Sequence, residues 1–180
     1  MKTLTLLRHA KSSWDDTVPR DFDRPLNAKG MRAARTIGRH LRAEGIEFDH
    51  VIASPAVRVI ETLDGVWDGY GRVLAPNWDR RVYLASAMTL LDLVRDAPEG
   101  AERLLLVGHN PGLEDLALML VPDRPDDRLR DDVEEKFPTA SVAEMRFEVG
   151  DWHDLTAGAA TLSRFVRPRD LDPELGPDRH

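Results

Sequence analysis

Apolar residues along this chain alternate between short unbroken runs and longer stretches in which they recur every three or four positions. Leu4, Leu6 and Leu7 form one run, and Leu104, Leu105, Leu106 and Val107 form another. Runs of this length, stopped by polar or glycine residues, predict strands buried on both faces. The first run ends in Arg8 and His9 and the second in Gly108 and His109. In an open parallel sheet the ligand crevice lies outside the carboxyl ends of the strands, so a polar residue directly after a buried strand is aimed at that crevice.

Between the runs the spacing turns helical. Asn27 is placed to cap a helix over residues 28 to about 44, with Ala34, Ile37 and Leu41 as its apolar stripe and Gly45 as its stop. Residues 48–53 read as the second strand. Ser54 and Pro55 then fit the cap and first turn of a helix carrying Ile60, Leu63, Trp67 and Tyr70, which puts Arg58 in its opening turn. Residues 72–81 hold a short strand and a loop. Ser86 is placed to cap a helix with Ala87, Leu90, Leu91 and Val94 facing inward, and Leu113, Leu116, Ala117 and Leu120 mark another after the second histidine.

Residues 11–26 form a long polar loop with Trp14, Pro19 and Pro25, a length that commonly serves function and is expected to border the site. Residues 121–138, including the charge cluster from Asp126 to Glu135, are proline-rich and charged, with no apolar period, and are expected to be an exposed loop or partly disordered. Ala143, Met145, Phe147 and Val149 alternate with Glu144, Arg146 and Glu148, which predicts a strand with one wet face, antiparallel to the others. Residues 161–166 give a last strand. These elements predict one α/β domain over residues 1–167, with a mostly parallel sheet of about six strands, and a charged tail over residues 168–180 that frays.

Composition narrows the chemistry. At 180 residues and 42% hydrophobic content the chain can build one sizeable core. With no cysteine there is neither a disulfide framework nor a thiolate nucleophile, which agrees with a cytoplasmic setting. No run reaches the length of a membrane span, so no membrane is expected as a partner. A formal net charge of -7 opposes tracking of a nucleic-acid backbone, which needs a basic face. A phosphate site would have to be locally basic.

The residues at the strand ends supply such a site. Arg8 and Arg58 are planar, permanently charged donors that can each grip two phosphate oxygens. The helix amino end carrying Arg58 adds free N–H groups and partial positive charge. A histidine beside them is a competent nucleophile toward phosphorus, because neutral imidazole carries a lone pair near pH 7, and the arginines repel its protonated form. His9 and His109 as a metal pair find no third ligand in the sequence, and two arginines would repel a cation. His40, His50, His153 and His180 read as surface or structural residues, and Trp14, Trp67, Trp78 and Trp152 as packing. Glu114 and Asp115 complement a helix amino end.

LLRHAK, SPAVRVIET and LLVGHNPG, in that order, resemble the three signature segments of the histidine phosphatase (phosphoglycerate mutase-like) superfamily. RPLNAKG resembles its lead into the first helix, and YLASAMTLL and FVRP are similar to its SixA-type phosphohistidine phosphatase branch. The resemblance implies a three-layer phosphoglycerate mutase-like fold, helices on both faces, and a phosphatase without cofactor or metal. It implies His9 as the nucleophile that becomes phosphorylated, Arg8 and Arg58 as phosphate-binding residues, and His109 as a donor to phosphate and transition state.

One departure bears on substrate. Superfamily members that cleave phosphate esters often carry a glutamate between the second arginine and the second histidine as proton donor to the alkoxide, and WDRRVYLAS has none. Such an acid is typically worth ~10²–10⁴-fold. Asp79 is the nearest carboxylate and a weak substitute. A phosphorylated histidine needs no such acid, since its imidazole leaves neutral when the second ring nitrogen is protonated. The favoured substrate is therefore protein phosphohistidine. A small-metabolite phosphomonoesterase and a phosphate-recognition module without turnover are the alternatives. Lys11, Arg20, Arg24, Arg80 and Arg81 are candidates for a basic rim that steers an anionic partner.

Overall fold

The structure, a computed structural model, describes residues 1–14 and 20–177. Six strands form one sheet: β1 (Lys2–Arg8), β2 (His50–Ala53), β3 (Asn77–Trp78), β4 (Arg103–Gly108), β5 (Val142–Phe147) and β6 (Thr161–Val166). Their order is β3-β2-β4-β1-β5-β6. The pairs β1/β4, β2/β4 and β2/β3 are parallel, while β5 runs antiparallel to both β1 and β6. The expected mostly parallel sheet with one reversed strand is what the chain forms.

Alternation of side chains gives each strand two apolar faces and so calls for helices on both. Leu4 and Leu6 of β1 and Leu104 and Leu106 of β4 pack with α3 (Ala87–Arg95) and α4 (Gly112–Leu120). Leu7, Leu105 and Val107 point the other way, onto α1 (Ala28–Ala43) and α2 (Val57–Tyr70). These two helices approach closely: a Cβ on Gly38 would lie 2.1 Å from the Val66 carbonyl oxygen. The Asn27 and Ser86 caps form as expected, accepting from the Gly30 and Thr89 amides, and Gly45 takes the left-handed conformation (φ 65) that ends α1.

Four expectations need correction. Residues 128–135, read as exposed loop, form helix α5 (Arg128–Glu135), capped by the Asp127 side chain on the Arg130 amide at 3.1 Å. Leu129, Val133 and Phe137 recur at a spacing of four, and Val133 and Phe137 are buried; the dense charge between them hides the period. Arg130 is buried as well and donates to the carbonyls of Val121 and Leu118. Glu144, assigned to a wet face, is buried under its β6 neighbours, and its carboxylate takes the Ser163 hydroxyl at 2.7 Å and Arg164 at 3.4 Å.

The segment after Arg167, expected to fray, folds as α6 (Pro168–Leu171) and a 3₁₀ turn over Pro173–Leu175 that lies on α1. Leu175 is buried there, and Arg32 of α1 pairs with Asp172 and Glu174. The last three residues, with His180, lie outside the described residues, as do residues 15–19, with Pro19 of the long loop. Trp67 and Trp152 are packing residues, but Trp14 is 80% exposed and Trp78 43% exposed. Among the described residues no helix is long and apolar enough to cross a membrane.

Candidate active site

Four predicted residues converge because three adjacent parallel strands end at the same level. Arg8 is in register with Gly108, and the His9 amide donates to the Gly108 carbonyl at 3.0 Å, so His9 and His109 leave neighbouring strands side by side. Their rings lie 5.3 Å apart between centroids. On the other side of β4, β2 delivers the start of α2 and with it Arg58, whose Nη2 donates to His109 Nδ1 at 3.3 Å. His9, Arg58 and His109 are 7%, 2% and 3% exposed. All four side chains line one cavity of about 720 Å³.

The hydrogen bonds fix both rings. Ala10 O can only accept, so His9 Nδ1 carries the proton and donates to it at 2.7 Å, leaving the lone pair on Nε2. A guanidinium can only donate, so His109 Nδ1 is the acceptor and its Nε2–H donates to Ser54 Oγ at 2.8 Å. Burial lowers the His9 pKa to about 3, helped by the charges of Arg58, Arg8 and Arg24 and opposed by the Ala10 bond. Burial also lowers the His109 pKa to about 3, with His9 and Arg58 adding to the effect. Both imidazoles are neutral at pH 7, more through desolvation than through the arginine charge expected from the sequence.

The arginines are held but not saturated. Arg8 Nη1 donates to the Phe137 carbonyl at 2.9 Å, and Arg58 Nη1 to the Asp21 carbonyl at 2.8 Å. The Nε of each is buried and has no acceptor among the described residues. Two cationic side chains, Arg58 buried and Arg8 half-buried, beside two neutral imidazoles can seat an oxyanion.

The residues around this floor were not all foreseen. Ser54, read as a helix cap, is not one: Ala56 takes the N-cap position of α2, and Ser54 directs its hydroxyl to His109. Its place directly after β2 was the signal, the same one that marked His9 and His109. Thr62 was not singled out; buried on α2, it donates to the Arg58 carbonyl at 2.6 Å and accepts the Ala10 amide at 2.8 Å. It thus ties the helix carrying Arg58 to Ala10, whose carbonyl orients His9. Gly30 serves the same loop, since a Cβ there would stand 2.1 Å from the Lys11 carbonyl oxygen.

Asp21 and Tyr83 had no sequence signal. Asp21 sits in a 3₁₀ turn (Asp21–Asp23) of the long loop and sets its carboxylate 3.0 Å from Arg58 Nη2 and 2.9 Å from Arg24 Nη2. The Tyr83 hydroxyl donates to it at 2.6 Å, and the Tyr83 ring stands edge-on to His109. Asp79, the weak candidate for a proton donor, does not line the cavity; its carboxylate is held by Arg81, which lowers its pKa and keeps it ionised.

Of the proposed rim, Lys11 and Arg24 line the cavity and Arg20, Arg80 and Arg81 do not. Lys29, Lys136, Arg167 and Arg169 take their place, brought by α1, the end of α5 and the C-terminal segment. Trp14 also lines the mouth, with the Arg24 guanidinium 3.9 Å over its ring.

Residues 4–80 match the model of the histidine phosphatase superfamily (branch 1). An uncharacterized protein of Mycobacterium tuberculosis (strain H37Rv) is 34% identical over 165 residues, spanning 91% of this chain and all of the relative. The SixA protein of Nakamurella multipartitia, named as a phosphohistidine phosphatase, superposes with TM-score 0.80 at 28% identity over 93% of this chain and 96% of its own. The SixA protein of Agrobacterium tumefaciens does so with TM-score 0.75 at 27% identity, over 93% and 98%. Sequence segments, sheet order and strand-end site agree with these likenesses, and the chain belongs to the histidine phosphatase superfamily, as a phosphatase of SixA-type architecture.

Proposed function

We propose that this phosphatase works through a phosphorylated intermediate on its own His9 and that its substrate is phosphohistidine carried on a protein. The observation that carries the reading is the seat itself: two buried guanidinium Nε donors and two neutral imidazoles on one cavity, with His9 Nε2 bearing the lone pair. Arg8 and Arg58 hold the phosphoryl oxygens, and His109 joins them by turning its Nε2–H from Ser54 Oγ to a phosphoryl oxygen. They stabilise the charge that builds on them as transfer proceeds, which for one such donor is typically worth ~10²–10³-fold.

His9 Nε2 attacks phosphorus, and the bond from phosphorus to the substrate ring nitrogen breaks with its electron pair returning to that nitrogen. The imidazole leaves neutral if its second nitrogen holds a proton. Water then attacks the phosphorylated His9, phosphate departs, and Nε2 regains its lone pair. Support for a phosphohistidine substrate comes from the lack of a glutamate in WDRRVYLAS, from the ionised state of Asp79 away from the cavity, and from the likeness to proteins named as phosphohistidine phosphatases.

The test is to mix the enzyme with a histidine-phosphorylated carrier protein and follow phosphate release together with the mass of the His9 peptide. Turnover with transient label on His9, and poorer turnover of p-nitrophenyl phosphate, is the expected result. Equal efficiency on the ester would instead make the chain a phosphomonoesterase, and retention of the carrier without phosphate release would make it a recognition module.

A further inference from the structure

The cavity is cationic with one exception. Among its described lining residues are eight Arg and Lys side chains and one carboxylate, Asp21. A negative charge beside a seat for a phosphoryl dianion weakens binding by repulsion, so its place there calls for a contribution elsewhere in the reaction.

The geometry of Asp21 specifies what it can do. Its Oδ2 accepts from Arg58 Nη2 at 3.0 Å and from the Tyr83 hydroxyl at 2.6 Å, and its Oδ1 accepts from Arg24 Nη2 at 2.9 Å. An ionised carboxylate has about four lone-pair sites. Among the described residues three are occupied, and the remaining one is on Oδ1 of a side chain that is 44% exposed and lines the cavity. Arg58 gives Asp21 its two terminal nitrogens and keeps its Nε unpartnered, so the carboxylate shares the arginine with the oxyanion and does not consume it.

Resting on the substrate reading above, we propose that Asp21 receives the leaving group: its free carboxylate lone pair accepts the N–H on the second ring nitrogen of the departing imidazole. The proton stays on that nitrogen throughout. The His9 Nε2 lone pair forms the new bond to phosphorus, the old bond breaks toward the substrate nitrogen, and a neutral imidazole leaves, still hydrogen-bonded to Asp21. The carboxylate favours the protonated, reactive form of the phosphorylated ring. It gives no such help to an ester, because it has no proton to offer an alkoxide. Burial alone would raise the Asp21 pKa, but the bonds from Tyr83 and Arg24 and the charge of Arg58 bring it down to about 2. Asp21 is thereby a specificity residue that separates substrates by what departs from phosphorus.

The test compares N-phosphoimidazole with p-nitrophenyl phosphate on the wild type and on D21N. The ratio of kcat/KM values should fall about tenfold or more against phosphoimidazole in D21N, the scale of a hydrogen bond to a charged group. The alkaline limb of phosphoimidazole turnover should also move to lower pH, because the carboxylate that held the ring proton is gone. An unchanged ratio overturns the inference, whether both activities fall together, which makes Asp21 a brace for Arg58, or rise together, which makes it a plug in the empty seat. A wild type that hydrolyses the ester and leaves phosphoimidazole intact overturns the substrate reading itself. Should D21N fold poorly by circular dichroism, Y83F, which removes one donor to the same oxygen, carries the ratio measurement instead.

Discussion

The floor of the cavity and its mouth are built by different means. Arg8, His9, Ser54, Arg58 and His109 each lie within a few residues of the end of β1, β2 or β4, and the parallel register of those strands sets their relative positions. Asp21, Arg24, Lys136 and Arg167 come from a loop, a helix end and the segment after the last strand, spread over more than 100 residues of sequence. In the proposed reaction the floor binds what all phosphoryl substrates share. The mouth meets what differs between them. A scaffold that fixes the first through its core and leaves the second to surface segments can change substrate without disturbing the phosphoryl seat.

The sharpest way to test that division is to remove the nucleophile. In the floor reading, H9A loses phosphate release on ester and phosphoramidate alike, by ~10⁴-fold or more, the scale seen when a covalent nucleophile is deleted. Mass spectrometry should find no phosphorylated intermediate. Substantial residual turnover with label on another residue would move the chemistry away from the strand ends.

Next in size is R58A. Loss of one preorganised charged donor should lower kcat by ~10²–10³-fold on both substrates, since in the proposed reaction Arg58 contacts the transferred group and not the departing one. R58K should not restore it, because an ammonium cannot reproduce the planar grip. A loss confined to one substrate would place Arg58 functionally with the mouth and erase the distinction.

How far each region was legible follows the same line. The strand-end rule pointed to Arg8, His9 and His109 from apolar runs, because a buried parallel strand declares both its own limits and the direction of the residue after it, while Arg58 was legible from its place in the opening turn of a helix. Ser54 obeyed the rule and was read instead as a cap, since serine before proline before a helical stripe satisfies both descriptions. Asp21 and Tyr83 obey no local rule. Their roles arise from contacts at sequence separations of 37 and 62 residues, made only once the sheet has formed. Helix α5 was hidden for another reason: its apolar positions recur at four-residue spacing within a charge-dense stretch, so composition masked period. The C-terminal segment had the charge of a tail, and its pairing with Arg32 and the burial of Leu175 depend on α1 standing where it does.

The floor should also reveal itself in stability. An unfolded imidazole titrates near 6.5, while the folded pKa values of His9 and His109 are about 3. Between these values the unfolded chain binds a proton on each ring and the native state does not. Stability from these rings is therefore fully present above about pH 6.5 and declines as pH falls toward 3. Each ring contributes up to about tenfold in the folding constant per pH unit. Urea midpoints measured from pH 7 to pH 4 should fall less steeply for H109N than for the wild type, with His40, His50 and His153 common to both. Parallel slopes would show that the His109 site is open to protons, and the floor would not be the desolvated region described above.

The smallest effect probes the mouth. In Y83F the ring keeps its edge contacts with His109 at 5.2 Å and Phe22 at 5.1 Å, so packing is conserved and only the hydroxyl bond to Asp21 is lost. That bond is one of those lowering the Asp21 pKa, so the pKa rises on its removal, but Arg24 and Arg58 remain and the carboxylate stays ionised at neutral pH. A hydrogen bond to a charged group is worth about 1.5–3 kcal/mol, but this one reaches the leaving group only through Asp21, so a fraction of it bears on the ratio. The phosphoimidazole to p-nitrophenyl phosphate ratio should accordingly fall by less than about tenfold, in the same direction as in D21N. Equal loss on both substrates would mean that Tyr83 acts through His109 beneath it, and the hydroxyl would then belong with the phosphoryl seat and not with the leaving group.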